Sequence, residues 1–371
     1  MITKPTLLID EARAKANIQK MLTKAQRNNV QLRPHFKTHQ SLAVGRWFKE
    51  VGINRITVSS LSMAEYFSTE WNDITVAFPV NILEIGTINE LAGKVQLNLL
   101  LESVEAASFL AQHCKREVGI FIQIDVGYHR TGLAPDNDKK LAAILGIIDS
   151  SDQLQFKGIL AHAGHTYDCR SKTAILERHQ QALTIMSGLK DKLQHKYPHC
   201  IVSLGDTPSC SVADDFNGVD EIRPGNFVYY DLTQHQIGSN TLDEIAVAMA
   251  CPIVALHPDR NEMVIYGGGV HFSKDRLVDE SHGTIYGRVV AEKGKTWGDV
   301  IPTMYLKKIS QEHGTVAVSA AHMKNYQIGD VIMILPVHSC MAVDLMRHQE
   351  VLVSTSLKQQ KKINAFCLAK S

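Results

Sequence analysis

Lys37 stands at the downstream end of the short apolar run 32–36, in the segment RPHFKTH, with His35 and His39 on either side. A primary amine held at the carboxyl end of a strand forms a Schiff base with an aldehyde when burial or neighbouring charge lowers its pKa. A solvated lysine closing a strand is the plainer alternative. Other segments carry groups that would complement such an amine. DVGYHRTG offers Arg130 after a glycine turn, and GILAHAGHTYD offers His162, His165 and Tyr167. LGDTPS supplies Gly205, Thr207 and Ser209, while EIRPGNFVYYD supplies Arg223, Gly225 and Asn226. Hydroxyls and unpaired backbone N–H groups in such turns favour an anion.

These residues need elements to position them. From Leu32 to Tyr230, short apolar runs rich in branched residues alternate with segments of helical periodicity, which reads as repeated βα units. The runs 32–36, 56–60, 74–80, 95–101, 118–127, 155–164, 201–207 and 219–230 are the strands predicted. HQSLAVGRWFKEVG, VEAASFLAQHCK and KTAILERHQQALTIMSGLKDKLQHKY are among the helices between them. Helical connections without a glycine-rich dinucleotide fingerprint favour an α/β chain built on a (β/α)8 TIM barrel, over 10–238, rather than a doubly wound sheet. After Asn240 the texture changes to consecutive apolar runs separated by turns. This predicts a C-terminal antiparallel β domain over 239–371, to which residues 1–9 add a strand. Barrels of this kind keep their chemistry at the carboxyl ends of the strands, where all the residues above fall, and the loops after the last two strands often hold a phosphate. A phosphate site facing a Schiff-base lysine implies pyridoxal 5'-phosphate.

Composition narrows the partners. A formal charge of +1 with 21% charged residues argues against a nucleic-acid partner. The lysines in 358–362 read as a solvated surface. No apolar run reaches the roughly 18 residues of a membrane span, and the first residues lack a signal-peptide core, so a cytoplasmic protein without membrane partners is expected. Seven cysteines, odd in number, scattered and without a CxxC pair, argue against a disulfide framework.

Taken in order, RPHFKTH, DVGYHRTG, GILAHAGHTY, EIRPGNFVYYD, QEHG and the late HSC resemble the fold-type III pyridoxal phosphate enzymes. The likeness is to the group of eukaryotic-type D-serine dehydratase, D-threonine aldolase and 3-hydroxy-D-aspartate lyases, and it spans nearly the whole chain. The resemblance implies that Lys37 is the Schiff-base lysine and the base that moves the Cα proton. It places Arg130 at the phenolic oxygen of the cofactor, His162 beneath the pyridine ring, and Thr207, Gly225 and Asn226 at the phosphate. Arg223 matches an arginine that faces the ring nitrogen in alanine racemases, and Tyr167 competes for that position. A head-to-tail homodimer is implied as well.

In PVHSCMAVDL, His338 and Cys340 are two residues apart. On a strand that spacing points both side chains to one face, and nitrogen beside sulfur is a zinc-type pair. A packed histidine beside a buried cysteine is the plainer reading. The resemblance adds that eukaryotic-type D-serine dehydratases carry His-x-Cys here with zinc, whereas D-threonine aldolases use a carboxylate partner and prefer manganese. The expectation is a divalent metal, zinc ahead of manganese, whose shell is completed by substrate and water.

The reaction so implied is elimination from a β-hydroxy D-amino acid, D-serine giving pyruvate and ammonia, with His313 of QEHG at the entrance. Aldol cleavage to glycine and an aldehyde would use the same parts. Racemisation would need a second base on the opposite face of the ring, and no residue is assigned to it. A non-enzymatic pyridoxal phosphate carrier would consist of the barrel alone, without the residues after Asn240. A cofactor-free Schiff-base aldolase would leave the phosphate site unexplained unless its substrate were itself phosphorylated.

Overall fold

The computed structural model describes residues 2–294, 296–353 and 361–362. Lys358 and Cys367 lie outside the described residues. The chain forms two compact units, one of Met1–Gln19, Thr38–Val44 and Asn226–Ser371, the other of Lys20–Lys37 and Gly45–Gly225. It passes from one to the other at Gln19–Lys20, Lys37–Thr38, Val44–Gly45 and Gly225–Asn226.

The first strand, β1 (Thr6–Asp10), belongs to the first unit. The second unit contains β2 (Gln31–Leu32), β3 (Arg55–Val58), β4 (Asp73–Pro79), β5 (Gln96–Leu101), β6 (Val118–Ile124), β7 (Leu154–Ala161), β8 (Ile201–Leu204) and β9 (Glu221–Ile222). They pair in the order β2-β9-β8-β7-β6-β5-β4-β3, every pair parallel. The sheet curls shut through the residues after β2: Phe36 N–H donates to Thr57 O at 2.8 Å, and Thr57 N–H donates to Pro34 O at 2.9 Å. Parallel strands covered on both faces read as unbroken apolar runs, and β6, VGIFIQI, is buried along its whole length. Near the amino-terminal ends of the strands, Arg33 bonds Asp73 at 2.7 Å and Glu221 at 2.9 Å, so this buried cation is fully paired. Gly158 brings β7 against β8, because a Cβ there would lie 2.0 Å from Ile201 O.

The strands of the other unit are β10 (Val247–His257), β11 (Glu262–Tyr266), β12 (Leu277–Asp279), β13 (Gly283–Ile285), β14 (Gly287–Lys293), β15 (Thr296–Ile309), β16 (His313–Ala317), β17 (Val331–Pro336), β18 (Glu350–Val353) and β19 (Lys361–Lys362). A sheet of order β11-β16-β15-β14-β17-β10-β1-β18-β19 is antiparallel except where β1 lies parallel to β18. The strands β12 and β13 form a separate ribbon. Val247–Cys251 of β10 are fully buried and anchor this core.

The barrel and the antiparallel sheet are therefore both present, with two local corrections. Only Glu221–Ile222 of the run 219–230 pairs as a strand, because Pro224 and Gly225 interrupt it and a 3-10 turn follows over Asn226–Val228. His338 and Cys340 are not on a strand: β17 ends at Pro336, His338 is the N-cap of the helix Ser339–Met346, and Cys340 is inside that helix. No helix among the described residues is long and apolar enough to cross a membrane. Cys114, Cys169, Cys200, Cys210 and Cys251 are free and buried, while Cys340 is half-buried.

Candidate active site

His162 follows the last residue of β7, and its Nδ1 donates to the carbonyl oxygen of Gly205, just past β8, at 2.8 Å. Part of the ring stays accessible, yet the dense protein around it strips water from the charged form and drives the pKa down to about 3. The positive charges of Lys37, Arg223 and Arg130 act in the same direction. Four residues from four strand ends thus converge on one imidazole. Two more lie beside it. The Tyr167 ring is 6.4 Å from the His162 ring, and Arg130 sits 5.0 Å over Tyr128, whose ring meets His162 edge-on at 6.0 Å.

Arg223 is buried and held from two sides. Its Nε donates to Ser203 Oγ at 2.7 Å and its guanidinium to Ala161 O at 2.5 Å. Burial lowers its pKa to about 10, with Glu221 opposing the shift, so it stays charged at neutral pH. Gly205 is required where the two strand ends meet, since a Cβ there would stand 2.6 Å from Arg223 N.

The run 201–207 was expected to be strand to its end, but the strand stops at Leu204 and Thr207 begins a helix, Thr207–Val212. Asp206 caps it, accepting from Ser209 N–H at 2.7 Å and from Thr166 Oγ1 at 2.8 Å. Thr207 N–H donates to the Tyr167 hydroxyl at 3.5 Å. The Thr207 hydroxyl oxygen is buried without a hydrogen-bond partner. Such groups cost free energy unless something fills the site. An anion would do so.

Asn226, His313, His338 and Cys340 belong to the other unit. Asn226 Nδ2 donates to Asp231 Oδ2 at 2.6 Å, Ser339 Oγ at 3.0 Å and Cys340 Sγ at 3.5 Å, and its buried Oδ1 has no partner. Asp231 also accepts from Ser339 N–H at 2.9 Å, which fixes the start of the helix carrying Cys340. Thr38 Oγ1 lies 3.2 Å from Cys340 Sγ. His338 Nδ1 bonds Asp275 Oδ2 at 2.9 Å. Burial opposes charging of His338, but Asp275 and Cys340 outweigh it and push the pKa up to about 11. No group of three His, Cys, Asp or Glu side chains converges as a metal site among the described residues. His313 opens β16, exposed and paired with Tyr266.

Two family models account for nearly the whole chain: "Alanine racemase, N-terminal domain" matches residues 9–233, and "Putative serine dehydratase domain" matches residues 246–352. The chain belongs to the alanine racemase N-terminal domain family. It is a fold-type III pyridoxal phosphate enzyme, related to D-serine dehydratase, D-threonine aldolase and hydroxyaspartate dehydratase. The enzyme is 28% identical to D-serine dehydratase of Dictyostelium discoideum, over 94% of this chain and 93% of that one. It is 29% identical to D-threo-3-hydroxyaspartate dehydratase of Delftia sp. (strain HT23), over 91% and 90%. A solved cysteine-to-alanine variant of D-threo-3-hydroxyaspartate dehydratase, described in its metal-free form, superposes with a TM-score of 0.90 at 25% identity, covering 99% and 98%.

Several residues around these sites carry no obvious sequence signal. Ser203 and Asp275 find their partners 20 and 63 residues away. Asp206 is different: an aspartate followed by threonine, proline and serine is a helix-start signature that reveals the cap.

Proposed function

We propose that this pyridoxal phosphate-dependent lyase of D-amino acids is a metal-assisted dehydratase of β-hydroxy D-amino acids, with D-serine giving pyruvate and ammonia. The observation that carries the reading is the convergence of Lys37, Arg130 and Arg223 on His162. It sets an amine and two guanidiniums within electrostatic reach of one neutral ring, with the buried, unpartnered Thr207 hydroxyl suited to a phosphate.

Bound there, pyridoxal phosphate supplies the electron sink for charge developing at Cα. Thr207 and Ser209, with the backbone of Gly225 and Asn226, hold its phosphate. Arg130 pairs with the phenolic oxygen. His162, locked by Gly205 and uncharged at neutral pH, gives the ring an uncharged face to rest on. Arg223 takes the ring nitrogen, because the Tyr167 hydroxyl already accepts from Thr207 N–H at the phosphate end. A charged guanidinium there keeps that nitrogen unprotonated. Lys37 Nζ would hold the aldehyde carbon until the substrate amine displaces it, and the freed amine would then accept the Cα proton of the substrate.

His338 and Cys340 would hold a divalent metal, zinc ahead of manganese, which when bound acts as a Lewis acid on the β-hydroxyl. The donors fit: one nitrogen with its other ring atom tied to a carboxylate, and one sulfur. The metal-free description of the relative's cysteine variant supports the same assignment. His313 lines the entrance. The enzyme works as a homodimer in the cytoplasm.

Incubation with D-threonine tests the reaction. A dehydratase releases 2-oxobutanoate and ammonia. Glycine with acetaldehyde would instead make the enzyme an aldolase and overturn the proposal.

A further inference from the structure

We infer that Asp275, braced by Ser273, is a positioning residue that aims Nε2 of His338 at the metal, an inference that rests on the metal reading above. The carboxylate oxygen Asp275 Oδ2 lies 2.9 Å from His338 Nδ1. A carboxylate only accepts, so Nδ1 keeps its hydrogen, and a metal would bind at Nε2 in place of any proton there. Ligating histidines are commonly oriented in this way by a carboxylate on the second nitrogen.

Ser273 bonds the same carboxylate oxygen. Its hydroxyl donates to Asp275 Oδ2 at 3.0 Å and accepts from Asp275 N–H at 3.1 Å. The backbone there is unusual. Ser273 is buried at φ 69° and ψ −178°, a region almost confined to glycine. Glycine would adopt that backbone without strain, yet glycine has no hydroxyl to grip Asp275. Strain kept at a residue whose side chain orients a ligand's partner is the signature of a site held for function rather than for the fold. Asp275 itself has a side chain 43% exposed, so the core does not depend on it.

The test uses the full-length pyridoxal phosphate enzyme stripped of metal by a chelator. Zinc affinity is read by competition with a chromophoric chelator, and ligand geometry by the visible bands of bound cobalt(II). Asp275→Ala and Ser273→Ala should weaken zinc binding by roughly 10–100-fold and shift the cobalt bands. Ser273→Gly separates this role from a structural one: it relieves the backbone, so the thermal midpoint should hold or rise while zinc binding weakens. Asp275→Ala with unchanged zinc affinity and unchanged cobalt bands would overturn the inference. If instead the unsubstituted enzyme binds no zinc, or binds it equally well after His338→Ala and Cys340→Ala, the metal reading itself fails.

Discussion

His162 and Gly205 are joined by a bond of 2.8 Å from imidazole Nδ1 to a backbone carbonyl, which settles the tautomer of an uncharged ring at the centre of the site. Burial pushes the pKa of this histidine from 6.5 to about 3, and burial does the same to His39. Between those values the unfolded chain binds protons that the folded enzyme refuses. Their contribution to stability is therefore complete above pH 6.5 and is lost as pH falls towards 3, at about 1.4 kcal/mol per pH unit for each histidine. Calorimetric unfolding at pH 5 in buffers of different ionisation enthalpy should show the proton uptake. His39→Asn should reduce it by about one proton, and an unchanged uptake would refute the assignment.

Arg223 is bound to Ser203 and to the carbonyl of Ala161, whereas the Tyr167 hydroxyl receives one long contact from Thr207. Arg223→Ala strips a buried hydroxyl and a buried carbonyl of their donor and should cost about 1–3 kcal/mol in denaturant unfolding. Tyr167→Phe should stay within about 0.5 kcal/mol. If the guanidinium faces the ring nitrogen, Arg223→Ala also shifts the visible absorption of the holoenzyme and Tyr167→Phe does not. The reverse pattern would give the position to Tyr167.

Asp206 presents the opposite charge problem. Desolvation raises its pKa, against the hydrogen bonds from Ser209 and Thr166, and Oδ2 is buried without a partner. A carboxyl raised above its unfolded value of 3.8 contributes most below that pH, and the contribution is lost as pH rises through the folded value. Asp206→Asn keeps a cap oxygen and removes the buried charge, so its stability relative to the parent should improve from pH 4 to pH 8. Asp206→Ala removes the cap and should cost about 1–2 kcal/mol. Thermal midpoints at the two pH values decide between these effects.

The barrel was legible because its central strands are largely buried on both faces, so that VQLNLLL and VGIFIQI appear as mostly apolar runs between turns. Lys37, Arg130, His162 and Arg223 could be placed together once those runs were ordered, since each follows or lies near a strand end. The His338 and Cys340 geometry was not legible. The run VIMILP is a true strand, and His338 caps the next helix without a side-chain hydrogen bond, so no capping residue announces the turn. Thr207 was hidden similarly, because TPSCSV is too short for helical periodicity to emerge and only the aspartate before it marks the start. Partners such as Asp275 are invisible by nature: a hydrogen bond across 63 residues leaves no local pattern.

Metal removal tests the metal-assisted step directly. Cys340 Sγ lies 3.2 Å from Thr38 Oγ1 and 3.5 Å from Asn226 Nδ2, two polar neighbours suited to a thiolate. A Lewis acid contributes several kcal/mol to expelling a hydroxyl, so chelation should lower turnover of D-serine by roughly 100-fold or more. Cys340→Ala should be as slow as the chelated enzyme and indifferent to chelator. Cys340→Asp replaces the soft donor by a hard one, so it should recover activity with manganese ahead of zinc. Turnover that survives both chelation and Cys340→Ala would mean that Lys37 and the cofactor expel the hydroxyl unaided.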